Sequence, residues 1–221
     1  MGSITRGLSN NITTGGVILP AGITNATVAN ITSFPNASGG TLILLSTQTA
    51  SSSATISFTT GLDSTYDEYI FKFINIHPAT DNTYFQFNGS TDGGSNYNVT
   101  KTTTLFKAAH AEDDSGYELA YATGDDLAQG TGFQPLAHSG TIGNDNDQNL
   151  TGTLTLFNPS STTYVKHFIA RTSATHVSDY EIDSFIAGYF NTTSAINAIQ
   201  FKMASGNIDD GIIKLYGVKK S

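Results

Sequence analysis

Five histidines, His77, His110, His138, His167 and His176, are the residues of this 221-residue chain best suited to acid–base or metal chemistry. A zinc hydrolase sets two histidines four residues apart beside a glutamate, and a serine hydrolase holds its nucleophile in Gly-x-Ser-x-Gly. Neither pattern occurs, so the histidines read as surface or hydrogen-bonded residues; no catalytic residue is assigned and no enzymatic activity is expected. Oxygen-rich loops are the next candidates: Glu112-Asp113-Asp114, Asp125-Asp126 and Gly143 to Asn149. Asp145, Asp147 and Asn149 alternate as the first three ligands of a calcium loop do. Leu150 stands where that loop needs glycine, however, and Leu156 where it needs the closing glutamate. The segment reads as a solvated loop, and neither metal nor cofactor is expected. Tyrosines beside polar loops can stack on sugar rings. Tyr97, Tyr117 and Tyr121, with Asp145 and Asp147, therefore form the candidate glycan-facing set.

The elements that would position these residues are strands. Thr41 to Thr49, Ala54 to Thr60, Glu68 to Ile76 and Thr83 to Asn88 have strand length and composition, and turn-rich pieces such as Gly61-Leu62-Asp63-Ser64 separate them. Tyr97 to Phe106, Gly116 to Ala122, Gly130 to Leu136, Leu150 to Phe157, Tyr164 to Arg171 and Asp179 to Phe190 continue the series. Tyr69 to Ile76 is apolar at nearly every residue, which predicts a strand covered on both faces or central in a sandwich. Val165 to Ile169 mixes polarity, which predicts an edge or a subunit contact. Thr192 to Ala198 is the one short helix expected. Ile199, Phe201 and Met203 alternate with polar residues, Ser205 to Gly211 is a turn, and Ile212 to Val218 follows, which predicts a closing hairpin. The fold class is all-β, a two-sheet antiparallel sandwich with Greek-key or jelly-roll connections.

Residues 1–40 differ from the remainder. Pro20 and Pro35 interrupt regular structure, while Ile12, Val17, Ile18, Leu19, Ile23, Val28 and Ile31 recur too often for a solvated tail. This predicts an extended N-terminal arm laid on a partner by strand addition, ahead of a sandwich domain over residues 41–221. The net charge of -8 and the absence of any Lys/Arg cluster exclude a nucleic-acid surface. Zero cysteines remove disulfides and thiolate metal sites. No apolar run is long enough to cross a bilayer as a helix, and the first residues lack the core of a secretory signal, so no membrane insertion is expected.

Phe190 to Thr193, Ile199 to Met203, Ser205 to Ile208 and Gly211-Ile212-Ile213-Lys214-Leu215-Tyr216-Gly217-Val218 together resemble the C-terminal signature of bacteriophage virion proteins, particularly those of marine tailed phages. Gly211 to Gly217 is the most specific part. Leu44 to Ser51 and Tyr66 to Phe73 extend the resemblance to a span of Leu44 to Val218. It implies a non-enzymatic structural component of the particle, tail-fibre-like or capsid-decorating, with a jelly-roll-like domain. It further implies manufacture in the host cytoplasm, residence in the virion, other capsid or tail proteins as partners, and a homotrimer. The alternative on the same sandwich is a carbohydrate-binding or host-receptor-binding module that meets a host surface glycan.

Overall fold

Period-two alternation of large apolar and small polar residues builds strands here, because one face of each must meet a core and the other water. The computed structural model describes residues 41–138 and 142–220, together with the backbone of residues 12–13 and 16–17. The chain divides into two units, Met1–Gly39 and Gly40–Ser221. In the first, β1 (Ile12–Thr13) pairs antiparallel with β2 (Gly16–Val17), Ile12 opposite Val17. Of the other arm residues named above, Ile18, Leu19, Ile23, Val28 and Ile31 lie outside the described residues.

The second unit contains β3 (Leu42–Thr49), β4 (Ile56–Phe58), β5 (Glu68–Pro78), β6 (Phe85–Ser90), β7 (Lys101–Ala111) and β8 (Tyr117–Tyr121). After these come β9 (Gln134–Pro135), β10 (Leu150–Phe157), β11 (Lys166–Thr175), β12 (Tyr180–Phe190), β13 (Ala198–Met203) and β14 (Ile208–Val218). One sheet has eight strands in the order β3-β14-β5-β10-β11-β12-β7-β8, and the other has four in the order β4-β13-β6-β9. Four antiparallel pairs are nested: β3 with β14, β4 with β13, β5 with β10, and β6 with β9. That nesting is a long hairpin wound over a sandwich, the jelly-roll arrangement. The hairpins β7–β8 and β11–β12 are insertions that widen one sheet.

The core between the sheets is aromatic. Phe201 on β13 lies at its centre, with ring centroids 5.2 Å from Phe71, 5.3 Å from Phe73, 5.6 Å from Phe85 and 6.1 Å from Phe58. Most of these contacts are edge-on, the geometry that ring quadrupoles favour. On β5 the residues Tyr69, Phe71, Phe73 and Ile76 are buried, whereas Ile70, Lys72 and Ile74 are half-buried, so the core covers one face only. Asn75 interrupts the alternation at φ 50°, and β14 answers with Gly211 at φ 128°. A Cβ on Gly211 would lie 2.8 Å from both Asn75 O and Ile76 Cα, which is why the closing motif begins with glycine. It ends with Gly217 because the Tyr66 ring packs where a Cβ would project.

Three expectations need correction. The last two strands are not a hairpin: β13 pairs with β4 and β6, β14 with β3 and β5, and Ala204–Asn207 crosses between the sheets. Phe201 and Met203 therefore face Ile213 and Leu215 across the core, all four buried. The segment from Thr192 is not helical, since its donors turn elsewhere: Ser194 N donates to Thr192 Oγ1 at 3.1 Å and Ile196 N to Pro159 O at 2.9 Å. Finally, β11 is an interior strand and not an edge, and a buried lysine accounts for part of the mixed polarity at its start. Lys166 and Lys101 are both fully buried, each opposite Phe190 in register. Lys166 Nζ donates to Thr192 O at 3.1 Å, while Lys101 Nζ donates to Asn88 Oδ1 at 2.6 Å and to Val99 O at 2.9 Å.

Candidate functional site

The residues singled out for glycan contact are not gathered into one place. Tyr97 precedes β7 at one end of the large sheet; its carbonyl accepts from Asn88 Nδ2 at 2.7 Å, and its hydroxyl is buried without a hydrogen-bond partner among the described residues. Its ring packs over Gly94, so it pins the loop before β7. Asp145 and Asp147 are exposed in the loop leading to β10, at the other end of the sheet. The Asp145 backbone meets His77 Nε2 at 3.2 Å and accepts from Gln148 N at 2.9 Å, while its carboxylate faces solvent. Among the described residues no three of His, Cys, Asp and Glu converge as a metal site would require.

Tyr117 and Tyr121 belong to the edge strand β8 rather than to a loop. Its exposure is unusual: Tyr117 is 87% exposed, Leu119 77% and Tyr121 51%. All three side chains lie on the face of the large sheet turned away from the core, beside β7 residues His110, Ala108 and Phe106. Phe106 stacks on Phe185 of β12, with centroids 4.7 Å apart and planes 3° from parallel, and the Arg171 guanidinium covers the Phe185 ring at 4.8 Å. Arg171 in turn donates to Asp183 Oδ2 at 2.6 Å. Tyr121 donates to Asp126 Oδ2 at 2.7 Å, and that hydrogen bond holds its pKa above the usual tyrosine value. This is a single apolar stretch running from the interior of the sheet to its margin.

On the opposite face of the same strands the large sheet extends past the small one. A polar cleft of about 360 Å³ opens there, lined by Lys107, Glu118, His138, His176 and Tyr180 over a floor of Ala109 and Ile182. Lys107 pairs with Glu118 at 2.9 Å and lowers its pKa, first by hydrogen bonding and then by charge. His138 Nδ1 meets Asp125 Oδ2 at 2.5 Å, and this carboxylate is almost fully buried. Burial, then the charges of His138 and Lys107, lower the pKa of His176, which favours its neutral ring. Charged groups that fix one another in this way can orient hydroxyl-bearing ligands. Sequence reasoning passed over His138 because Asp125 lies 13 residues away, and over His176 because Ser178 N and the Tyr180 ring, its near neighbours, form no catalytic motif.

Comparison with protein families, with curated proteins and with solved structures returns no match.

Proposed function

We propose that this chain is a non-enzymatic structural protein of a bacteriophage particle, a tail appendage or capsid decoration, with residues 1–40 as its attachment segment and the jelly roll as its displayed domain. The nested strand pairing carries the reading, because wound sandwiches of this order recur in viral capsid proteins and fit the resemblance of residues 44–218 to virion proteins. The unit Gly40–Ser221 encloses its own aromatic core, so removal of residues 1–40 leaves that core intact. Particles assembled with the truncated protein in place of the full chain provide the test. The expected result is a folded, soluble domain that no longer enters particles; incorporation at full copy number would overturn the attachment role.

Jelly rolls also serve as lectins, so the fold by itself does not choose between roles. A second reading, a carbohydrate-binding module, is favoured by the polar cleft of Lys107, Glu118, His138, His176 and Tyr180. Glycan-array binding that is lost in Glu118→Ala and Tyr180→Phe is the result this reading expects, and absence of binding by the unaltered chain removes it.

A further inference from the structure

The free margins of the two sheets are not alike. In the small sheet they are β4, of three residues, and β9, of two residues including Pro135, both too short to recruit a neighbouring strand. In the large sheet β3 runs Leu42-Ile43-Leu44-Leu45 and then Ser46-Thr47-Gln48-Thr49, and a register shift against β14 at Leu215 and Tyr216 breaks the regularity of that edge. β8, Tyr117-Glu118-Leu119-Ala120-Tyr121, has no proline, no lysine and no register shift against β7, and its single charge, Glu118, is paired with Lys107 of β7.

The ladder with β7 fixes which main-chain groups of β8 remain unpaired within the domain. Ala122 N donates to Leu105 O at 2.9 Å at one end, and Ala111 N donates to Gly116 O at 2.9 Å at the other. Antiparallel pairs alternate between bonded and non-bonded, so Ala120 and Glu118 bond inward to Lys107 and Ala109. The N–H and C=O groups of Tyr117, Leu119 and Tyr121 consequently point outward. The outward-pointing backbone thus belongs to the same three residues that carry the exposed apolar side chains.

We propose that β8 is a self-pairing edge: two copies of this chain join their eight-stranded sheets by antiparallel β8–β8 pairing about a two-fold axis at Leu119. In this register Leu119 faces its own copy and Tyr117 faces Tyr121 of the second copy, so every outward main-chain group on the three residues finds a partner. The six side chains form one apolar ladder on a continuous outer face, extended by Phe106 and Phe185 on each side. Glu118 falls opposite Ala120, so no like charges meet, and its carboxylate stays with Lys107. A two-fold contact of this kind is self-complementary and closed. It stands in place of the three-fold assembly implied by the resemblance, and it requires neither the attachment role nor the glycan reading.

The absence of native cysteine makes a direct test simple. Residues opposite one another in a bonded antiparallel pair have Cα atoms about 5.5 Å apart, within disulfide reach. Full-length Leu119→Cys should therefore form a disulfide-linked dimer under mild oxidation, while Ala120→Cys, whose counterpart is displaced along the strand, should not. Sedimentation equilibrium of the unaltered chain should give a dimer, and Leu119→Lys should give a monomer with an unchanged circular dichroism spectrum. A monomer at concentrations up to about 100 μM, well above typical specific dissociation constants, a trimer, or equal cross-linking of both cysteine variants would overturn the proposal.

Discussion

Lys101→Met should reduce a rise in stability that the unaltered protein shows between pH 7 and pH 9. Lys101 is fully buried, and burial alone pushes its pKa from the ordinary 10.5 down to about 7. Between those values the unfolded chain holds a proton that the folded chain has released, so unfolding takes up protons and stability rises with pH. The full difference corresponds to about 5 kcal/mol, and about 2 kcal/mol of it falls between pH 7 and pH 9. Few other groups interfere in that window. The shift of His176 is downward, away from the window, and those of Tyr69 and Tyr121 are upward, beyond it. Lys166 is also lowered by burial and contributes in the same direction, so Lys166→Met serves as a parallel measurement. The assay is urea unfolding of both proteins at the two pH values. At a slope of about 2 kcal/mol per molar, the midpoint of the unaltered chain should climb by about 1 M and that of Lys101→Met by clearly less. Methionine keeps the packing against Phe190 and leaves Asn88 Oδ1 its bond from Gly89 N at 2.8 Å, so the variant should fold. Parallel pH slopes in the two proteins would refute the assignment of a neutral buried amine to Lys101.

Phe201→Ala should destabilise the domain by about 3–5 kcal/mol, because it empties the centre of the aromatic core; calorimetry reads this as a lower Tm and a small loss would show that the core collapses around the gap. Gly211→Ala should cost about 1–3 kcal/mol, since both its φ of 128° and the backbone of β5 oppose a side chain. Gly217→Ala should also cost about 1–3 kcal/mol, because a Cβ there would lie 2.3 Å from Tyr66 Cδ2 and 2.6 Å from Tyr66 Cγ at the root of the ring; a urea midpoint of either glycine variant equal to that of the unaltered chain would contradict this.

Much of the fold was legible because alternation reports burial. Leu150 to Phe157 gives β10 residue for residue, and Glu68 to Ile76 gives nearly all of β5. What alternation cannot report is the sheet a strand joins. Ile199 to Met203 and Ile212 to Val218 have the same inward pattern whether they pair side by side or face each other across the core, and the second case holds. Gly130 to Leu136 contributes only β9, since Pro135 cannot donate to a ladder. The buried lysines were hidden for a related reason: Lys101 is sheltered by Asn88, Val99 and Phe190, of which only Val99 is near it in the chain. The edge position of β8 was equally invisible, because it follows from the insertion of two hairpins into one sheet. Only the bulk of Tyr117, Leu119 and Tyr121 hinted at it, and that bulk fits an inner strand as well.

The place of β14 sets a timetable. It lies between β3 and β5, the first and third strands of its domain, so those two are joined within the sheet only once β14 has been inserted between them. During synthesis some 130 residues beyond β5 must emerge before the large sheet can close, and loop closure over such a distance is slow. Until then β5, which carries Phe71 and Phe73, has only β10 as a neighbour in the large sheet. A ribosome stalled before Ile208 would release a chain whose longest apolar strand still has one side open, a species suited to aggregation or proteolysis rather than to assembly. Only finished chains would then have a closed large sheet.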